Sequence, residues 1–259
     1  MMHPMLNIAT NAARAASKII LRFMDQMDKV DITEKSLNDF VTQVDKLSEE
    51  MIISHIEKSY PDHCILSEEI GYKKGSNKEY CWVIDPLDGT RNFMHGYPQF
   101  SISIAILKNN IPELGLIYDP LRQELFTATR GQGAYANSRR MRISDAKKIG
   151  QTLIGTGFPF RKKENIKNYL TTFENVFSKC GDIRRAGSAA LDLAYVAAGR
   201  LDAYWESDLH SWDIAAGALM IKEAGGVVTD FQGGETYLES GNIVAGNIKI
   251  HKELIQLIA

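Results

Sequence analysis

The chain has 259 residues, 44% hydrophobic and 24% charged, with a formal charge of -2. That profile fits a globular protein able to bury a sizeable core without staples, and it excludes disordered and fibrous chains. The near-neutral charge excludes a general nucleic-acid binder, and no apolar run approaches the roughly 20 residues of a membrane-spanning helix.

Ile8, Ala12, Ala15, Ile19 and Phe23 recur at helical spacing and predict a helix over 5–27. No signal-peptide core appears there, so the cytoplasm is the expected location. A polar, charged loop is expected over 28–38. A second helix is predicted from about Asn38 to Lys58, with Phe40, Val41, Val44, Leu47, Met51, Ile52 and Ile56 as its apolar stripe and Pro61 ending it. Short β-rich runs follow: CILSEE, EYCWVID, SISIAIL, ELGLIYD and ELFTAT. GQGAYANSRRMRIS then predicts a hairpin.

From about Gly150 strands and helices alternate. TLIGTGF reads as a strand, NIKNYLTTFENVFSKC as a helix, IRRAG as a short strand and SAALDLAYVAAGR as a helix. LDAYWE is a strand, WDIAAGALMIKEAG a helix, and GVVTDF and NIVAG are strands before a closing helix. The class is mixed, α+β in its first half and α/β in its second. Two halves packed as one unit are expected, 1–145 and 146–259.

The run WVIDPLDGTRNF at 82–93 is the most informative. Asp85 and Asp88 end an apolar strand, where ligands bind in open α/β sheets. Pro86 stops ladder pairing from its own nitrogen and Gly89 permits a tight turn. GTRNF opens a helix whose first N–H groups form an anion site. A cation on Asp85 and Asp88 would then face a phosphate on Gly89 and Thr90. An ordinary helix cap explains one aspartate and leaves Asp85 without a role.

Glu68 and Glu69 end another apolar run, and adjacent carboxylates repel unless a cation lies between them. Asp213 opens the WDIAAG helix. Glu68, Asp85, Asp88 and Asp213 make an all-oxygen donor set suited to Mg2+. Zinc is not expected, because no His or Cys has ligand spacing. Cys64, Cys81 and Cys180 fit reduced thiols, and His95 and His210 fit incidental neighbours of the motifs. Asp39, Thr42 and Asp45 fall on one face if their segment is helical. Haloacid-dehalogenase-type phosphatases also place Asp-Gly-Thr after an Asp, with one residue between the two aspartates. Here Pro86 and Leu87 intervene, which in a regular strand puts Asp88 on the face opposite Asp85 and removes that reading.

The segments DFVTQVD (39–45), SEE (67–69), DPLDGTRNF (85–93), RRAGSAALDLAYVAAGRLDAYWE (184–206) and WDIAAGALMIKEAGG (212–226) together resemble the inositol monophosphatase family, most of all its bacterial members. They stand in family order and cover nearly the whole chain. The resemblance implies a five-layered αβαβα sandwich of the sugar-phosphatase type, a Mg2+ requirement, inhibition by Li+ and commonly a homodimer. It implies hydrolysis of a phosphomonoester, first of all myo-inositol monophosphate, with fructose 1,6-bisphosphate, 3′-phosphoadenosine 5′-phosphate and histidinol phosphate as alternatives.

By position, the resemblance implies that Glu68, Asp85 and the Leu87 carbonyl hold one metal ion. Asp85, Asp88 and Asp213 hold a second, and Glu68 with waters helps hold a third. Thr90, linked to Asp45 and aided by Glu68, activates water, and the Gly89 and Thr90 N–H groups bind phosphate. Asp88 and Asp213 also meet the substrate. Gly187, Ser188, Ala189 and Glu206 contact the polyol, and Lys35 belongs to a mobile loop that closes near the metals. Ser188 stands where several members have Thr, and Arg91 where many have Thr or Ala. Some bacterial members also associate with transcription machinery. Arg184, Arg185 and the cluster Arg139, Arg140 and Arg142, otherwise a solvated face, are the basic residues available for such a partner.

Overall fold

A computed structural model describes residues 3–26, 31–36, 39–160 and 162–258, with residues 32, 34–36 and 39–41 by backbone alone. Helix α1 (Pro4–Met24) leads into a two-stranded hairpin of β1 (Ile32–Ser36) and β2 (Asp39–Thr42). Helix α2 (Gln43–Ser59) follows. Next come β3 (His63–Ser67), β4 (Gly71–Lys73), β5 (Asn77–Asp88), the short α3 (Thr90–Met94), β6 (Ser101–Lys108), β7 (Ile111–Asp119), β8 (Glu124–Thr129), β9 (Gly133–Ala136) and β10 (Arg139–Arg140). These build an eight-stranded sheet in the order β10-β9-β8-β7-β6-β5-β3-β4, antiparallel except for the β3–β5 pair.

The rest of the chain supplies β11 (Leu153–Thr156), α4 (Ile166–Phe177), β12 (Asp182–Arg184), α5 (Ala189–Ala197), β13 (Ala203–Glu206) and α6 (Ser211–Glu223). It ends with β14 (Val227–Thr229), α7 (Tyr237–Ser240), β15 (Ile243–Gly246) and α8 (Ile248–Ile258). Its five-stranded sheet runs β12-β11-β13-β15-β14.

Side-chain alternation explains the stacking. Trp82 and Ile84 of β5 and Ile102, Ile104 and Ile106 of β6 point to the layer of α1 and α2. Val83 and Ala105, one residue out of phase, point to α5 and α6. Both faces are covered, so β5 reads as a continuous apolar run rather than an alternating one. The pair α5 and α6 is apolar nearly all round because it lies between the two sheets, meeting Phe126 and Ile117 of one and Tyr204 and Ala245 of the other. The outer pair α4 and α8 covers the far face of the small sheet through Val176, Ile250 and Leu254. The layers are thus α1/α2, large sheet, α5/α6, small sheet and α4/α8, the αβαβα sandwich expected from the resemblance.

The second helix differs from expectation. It starts at Gln43, and Asp39–Thr42 are a strand, so Asp39, Thr42 and Asp45 do not share a helix face. Phe40 and Val41 belong to β2 rather than to a helical stripe, because Thr42 is a strong N-cap. Its hydroxyl accepts from Val44 N–H at 3.1 Å, while its own N–H donates to Asp45 Oδ2 at 2.8 Å. Thr42→Ala should lower unfolding free energy by about 1–2 kcal/mol, the usual loss on removing such a cap. Urea melts would show it as a lower midpoint at unchanged slope, with Thr42→Ser close to the parent protein.

Candidate active site

A cleft opens where the C-terminal ends of β3, β5, β11 and β13 meet the N-termini of α5 and α6. Glu68, Asp85, Leu87, Asp88, Gly89 and Thr90 line one wall. Gly187, Ser188, Ala189, Glu206 and Asp213 line the other. Twelve of the predicted site residues therefore border or support one site when Asp45, bonded to Thr90, is included. The backbone of Lys35 lies in β1, and its side chain lies outside the described residues.

The local cause is a β-bulge. In the β5–β6 ladder Asp85 pairs with Ser103 and Asp88 with Ser101, so three steps on one strand match two on the other. The extra residue resets the alternation. Asp88 consequently shares a face with Asp85, contrary to the opposite-face placement expected of a regular strand. Pro86 falls where a strand tolerates it, at a bulge. Gly89 then turns the chain at φ +92°, and a Cβ there would sit 2.9 Å from the Gln99 carbonyl. Both the backbone conformation and the close approach require glycine.

Other elements aim the remaining carboxylates. Asp213 is in the first turn of α6 and accepts from His210 N–H at 2.6 Å. Asp88 Oδ2 accepts from Ser188 Oγ and from Ala190 N–H at 2.9 Å, at the start of α5. Asp85 Oδ1 accepts from Leu87 N–H at 2.9 Å. Glu68 follows β3, and its N–H donates to Ile84 O at 3.2 Å. Carboxylate oxygens of Asp85, Asp88 and Asp213, all buried, lie within 4.8 Å of one another.

Burial, then Glu68, Asp88 and Asp213, push the Asp85 carboxyl well above the usual range. Burial and Asp213 push Asp88 up to about 7, against the donors Ser188 and Ala190. Among the described residues no Lys or Arg forms an ion pair with Asp85, Asp88 or Asp213; Asp213 has only the half-exposed His210 ring, Nδ1 at 3.7 Å. Three clustered buried acids, with no Lys or Arg side chain to offset them, fit a divalent-cation site built of hard oxygen donors.

Thr90 forms the second part of the site. Its hydroxyl lies 2.9 Å from Asp45 Oδ1 and 3.1 Å from the Leu87 carbonyl. Asp45 is itself fixed through Oδ2 by Thr42 N–H and, at 2.6 Å, by Thr42 Oγ. In the cleft lining Glu206 accepts from Tyr204 OH. Burial pushes the Glu206 carboxyl up to about 8 despite that bond.

Several site residues were not singled out from the sequence. Buried Glu49 accepts from Ser67 Oγ and from Glu69 N–H, holding the turn that carries Glu68. Asn92 donates to the carbonyls of Gln99 and Ala186, tying the α3 turn to the α5 entry. Asp192 lines the cleft, buried in an otherwise apolar helix. Exposed Arg185 also lines the cleft, with its guanidinium 5.0 Å from the Phe158 ring centre. Arg91 lies over Phe160 at 5.6 Å. His95 is exposed and is not part of the cleft.

A model of the inositol monophosphatase family matches residues 1–259. Nus factor SuhB of Pseudomonas aeruginosa is 51% identical over 99% of this chain and 96% of its own length. The crystal structure of the extragenic suppressor protein SuhB from Bartonella henselae superposes with a TM-score of 0.96 at 40% identity, covering 99% of this chain and 98% of the other. A solved inositol monophosphatase–fructose 1,6-bisphosphatase covers all of both chains at 31% identity and a TM-score of 0.86.

Proposed function

The chain belongs to the inositol monophosphatase family, and on that premise we propose that it is a Mg2+-dependent phosphatase that hydrolyses myo-inositol monophosphate or a closely related sugar phosphate. The observation that carries the reading is the buried carboxylate cluster beside the Gly89–Thr90 turn.

Glu68, Asp85 and the Leu87 carbonyl would hold one ion, Asp85, Asp88 and Asp213 a second, and Glu68 with waters a weaker third. Bound there, the ions supply charge neutralisation for the phosphoryl oxygens, a water of lowered pKa and stabilisation of the leaving alkoxide. The Gly89 and Thr90 N–H groups would orient the phosphate. Thr90 Oγ would take a proton from the attacking water while its own proton passes to Asp45 Oδ1, which is 2.9 Å away. Glu68 assists at the same water.

Gly187, Ser188 and Ala189 would meet the polyol through backbone, since the Ser188 hydroxyl is committed to Asp88. Glu206 suits neutral hydroxyls and, in its ionised form, would repel a second phosphate. That supports the inositol reading over a bisphosphate one, although the solved relative named for both activities shares the fold. A homodimer is the assembly expected with this function.

Phosphate release should require Mg2+, stop in EDTA and fall with millimolar Li+. Kinetics run side by side on inositol monophosphate, fructose 1,6-bisphosphate, 3′-phosphoadenosine 5′-phosphate and histidinol phosphate should favour the first. Robust turnover in EDTA would overturn the mechanism. A tenfold preference for a bisphosphate, about 1.4 kcal/mol, would overturn the substrate.

A second role, association with a protein of the transcription machinery, is favoured by the name Nus factor carried by the P. aeruginosa relative. The exposed Arg139, Arg140, Arg142, Arg184 and Arg185 are available for it. Asp88→Asn should retain such a partner in pull-downs while losing phosphatase activity. Capture of no transcription protein by either form would remove this role.

A further inference from the structure

Asp192 is the one buried carboxylate of the cleft to which no role above has been given. It lies four residues beyond Ser188 in α5, is 2% exposed, and lines the cleft near enough to Glu206 for the two carboxyls to act on each other. The comparable acids are all satisfied: Asp88 by Ser188 and Ala190, Asp213 by His210, and Glu206 by Tyr204. Among the described residues, no N–H, hydroxyl or cationic group donates to the Asp192 carboxyl. Burial and the nearby Glu206 and Asp88 hold its pKa well above the usual range, with Arg185 opposing. A buried polar group without a partner costs free energy that a donor on a ligand can recover.

We propose that Asp192 is a specificity-determining residue that bonds a second hydroxyl of the leaving polyol, next to the hydroxyl met by Glu206, so that the cleft reads a pair of hydroxyls rather than one. The inference rests on the polyol-phosphate reading of this site. Hydroxyls suit this end better than a second phosphate, because a pair of buried carboxyl groups offers a phosphate at most one hydrogen each and, once ionised, repels it. They suit it better than an ammonium group, because Arg185 already supplies a positive charge at this end of the cleft. A site built to bond a hydroxyl rejects the analogue that lacks it, because its own buried group is then left unpaired.

The test combines two variants with substrate analogues. In Asp192→Asn, kcat/KM for myo-inositol 1-phosphate relative to 4-nitrophenyl phosphate should fall at least tenfold, mostly through KM. Across a series of inositol phosphates each lacking one ring hydroxyl, one compound should make the wild type and Asp192→Asn nearly equal. A different compound should do the same for Glu206→Gln. Such a cycle isolates the hydroxyl–carboxylate coupling from any general loss of activity or folding. Thermal melts and Asp192→Ala, expected to show the same pattern, guard against a folding defect peculiar to one substitution. Proportional loss on both substrates, no loss, or one analogue silencing both variants would overturn the inference alone. A wild type that cleaves 4-nitrophenyl phosphate but no polyol phosphate would overturn the underlying reading and the inference with it.

Discussion

Asp88→Asn is expected to lower kcat by about 10²–10³-fold, the scale of removing a key electrostatic group, and to weaken Mg2+ binding. One side of the Asp88 carboxylate is fixed by Ser188 and Ala190, which donate to Oδ2. An asparagine would keep its carbonyl oxygen toward those donors. Its NH2 group would then point at Asp85 and Asp213, presenting hydrogens where a cation needs a lone pair. The loss should fall mainly on kcat, because the cation acts most on charge that develops in the transition state.

Asp45→Asn is the control. Asp45 accepts from Thr42 N–H, Thr42 Oγ and Thr90 Oγ, and is separated from the cluster by Thr90. The substitution should slow turnover by mis-setting the Thr90 proton while changing Mg2+ affinity less than Asp88→Asn does. Metal titration by calorimetry, run beside kinetics, compares them. Equal weakening of Mg2+ binding by both would erase the distinction between ligand and orienter, and unchanged activity in both would move the active site elsewhere.

The long apolar runs made the layers legible. SISIAIL and ELGLIYD read as strands and the α5 and α6 sequences as helices, while the cover on both strand faces and the central place of the two helices emerge only from the packing. Short polar elements escaped. The strand β4 is three residues of mostly exposed chain, and β1–β2 lies in a charged segment adjoining a helical period that begins at Val44. There the Thr42 cap, rather than hydrophobic spacing, decides where the helix starts.

At the site, strand ends and helix starts flagged Glu68, Asp85, Asp88 and Asp213, because a carboxylate after an apolar run stands out. The bulge that puts Asp85 and Asp88 on one face is a property of pairing between strands, and Pro86 was its only local sign. Glu49 looks like any helix acid until Ser67 and Glu69 meet it across the sheet edge. Asp192 did carry a signal, a lone charge inside SAALDLAYVAAG, which an all-round apolar helix has no other reason to include.

Gly157→Ala is expected to lower kcat/KM for inositol monophosphate by about 10²-fold, the cost of misplacing a positioning group by an ångström or so. Gly157 follows β11, and a Cβ there would lie 1.7 Å from Glu206 Oε1, far inside contact distance. Glu206 cannot simply withdraw toward its own strand, because Tyr204 OH already holds Oε2 on that side. An added methyl group must therefore drive the carboxyl out of its place or push β11 away from β13, with which it pairs. The first outcome removes the hydroxyl acceptor from the cleft, and the second widens the cleft; both raise KM more than they lower kcat. Stability should also fall, by about 1–3 kcal/mol, as in other overpacked interiors. Combining Gly157→Ala with Glu206→Ala separates the causes. If the clash with Glu206 is responsible, the double variant melts close to Glu206→Ala alone and loses no further activity on inositol monophosphate. If Gly157→Ala costs as much without Glu206 as with it, the two residues are not coupled and the placement of Glu206 does not depend on that glycine.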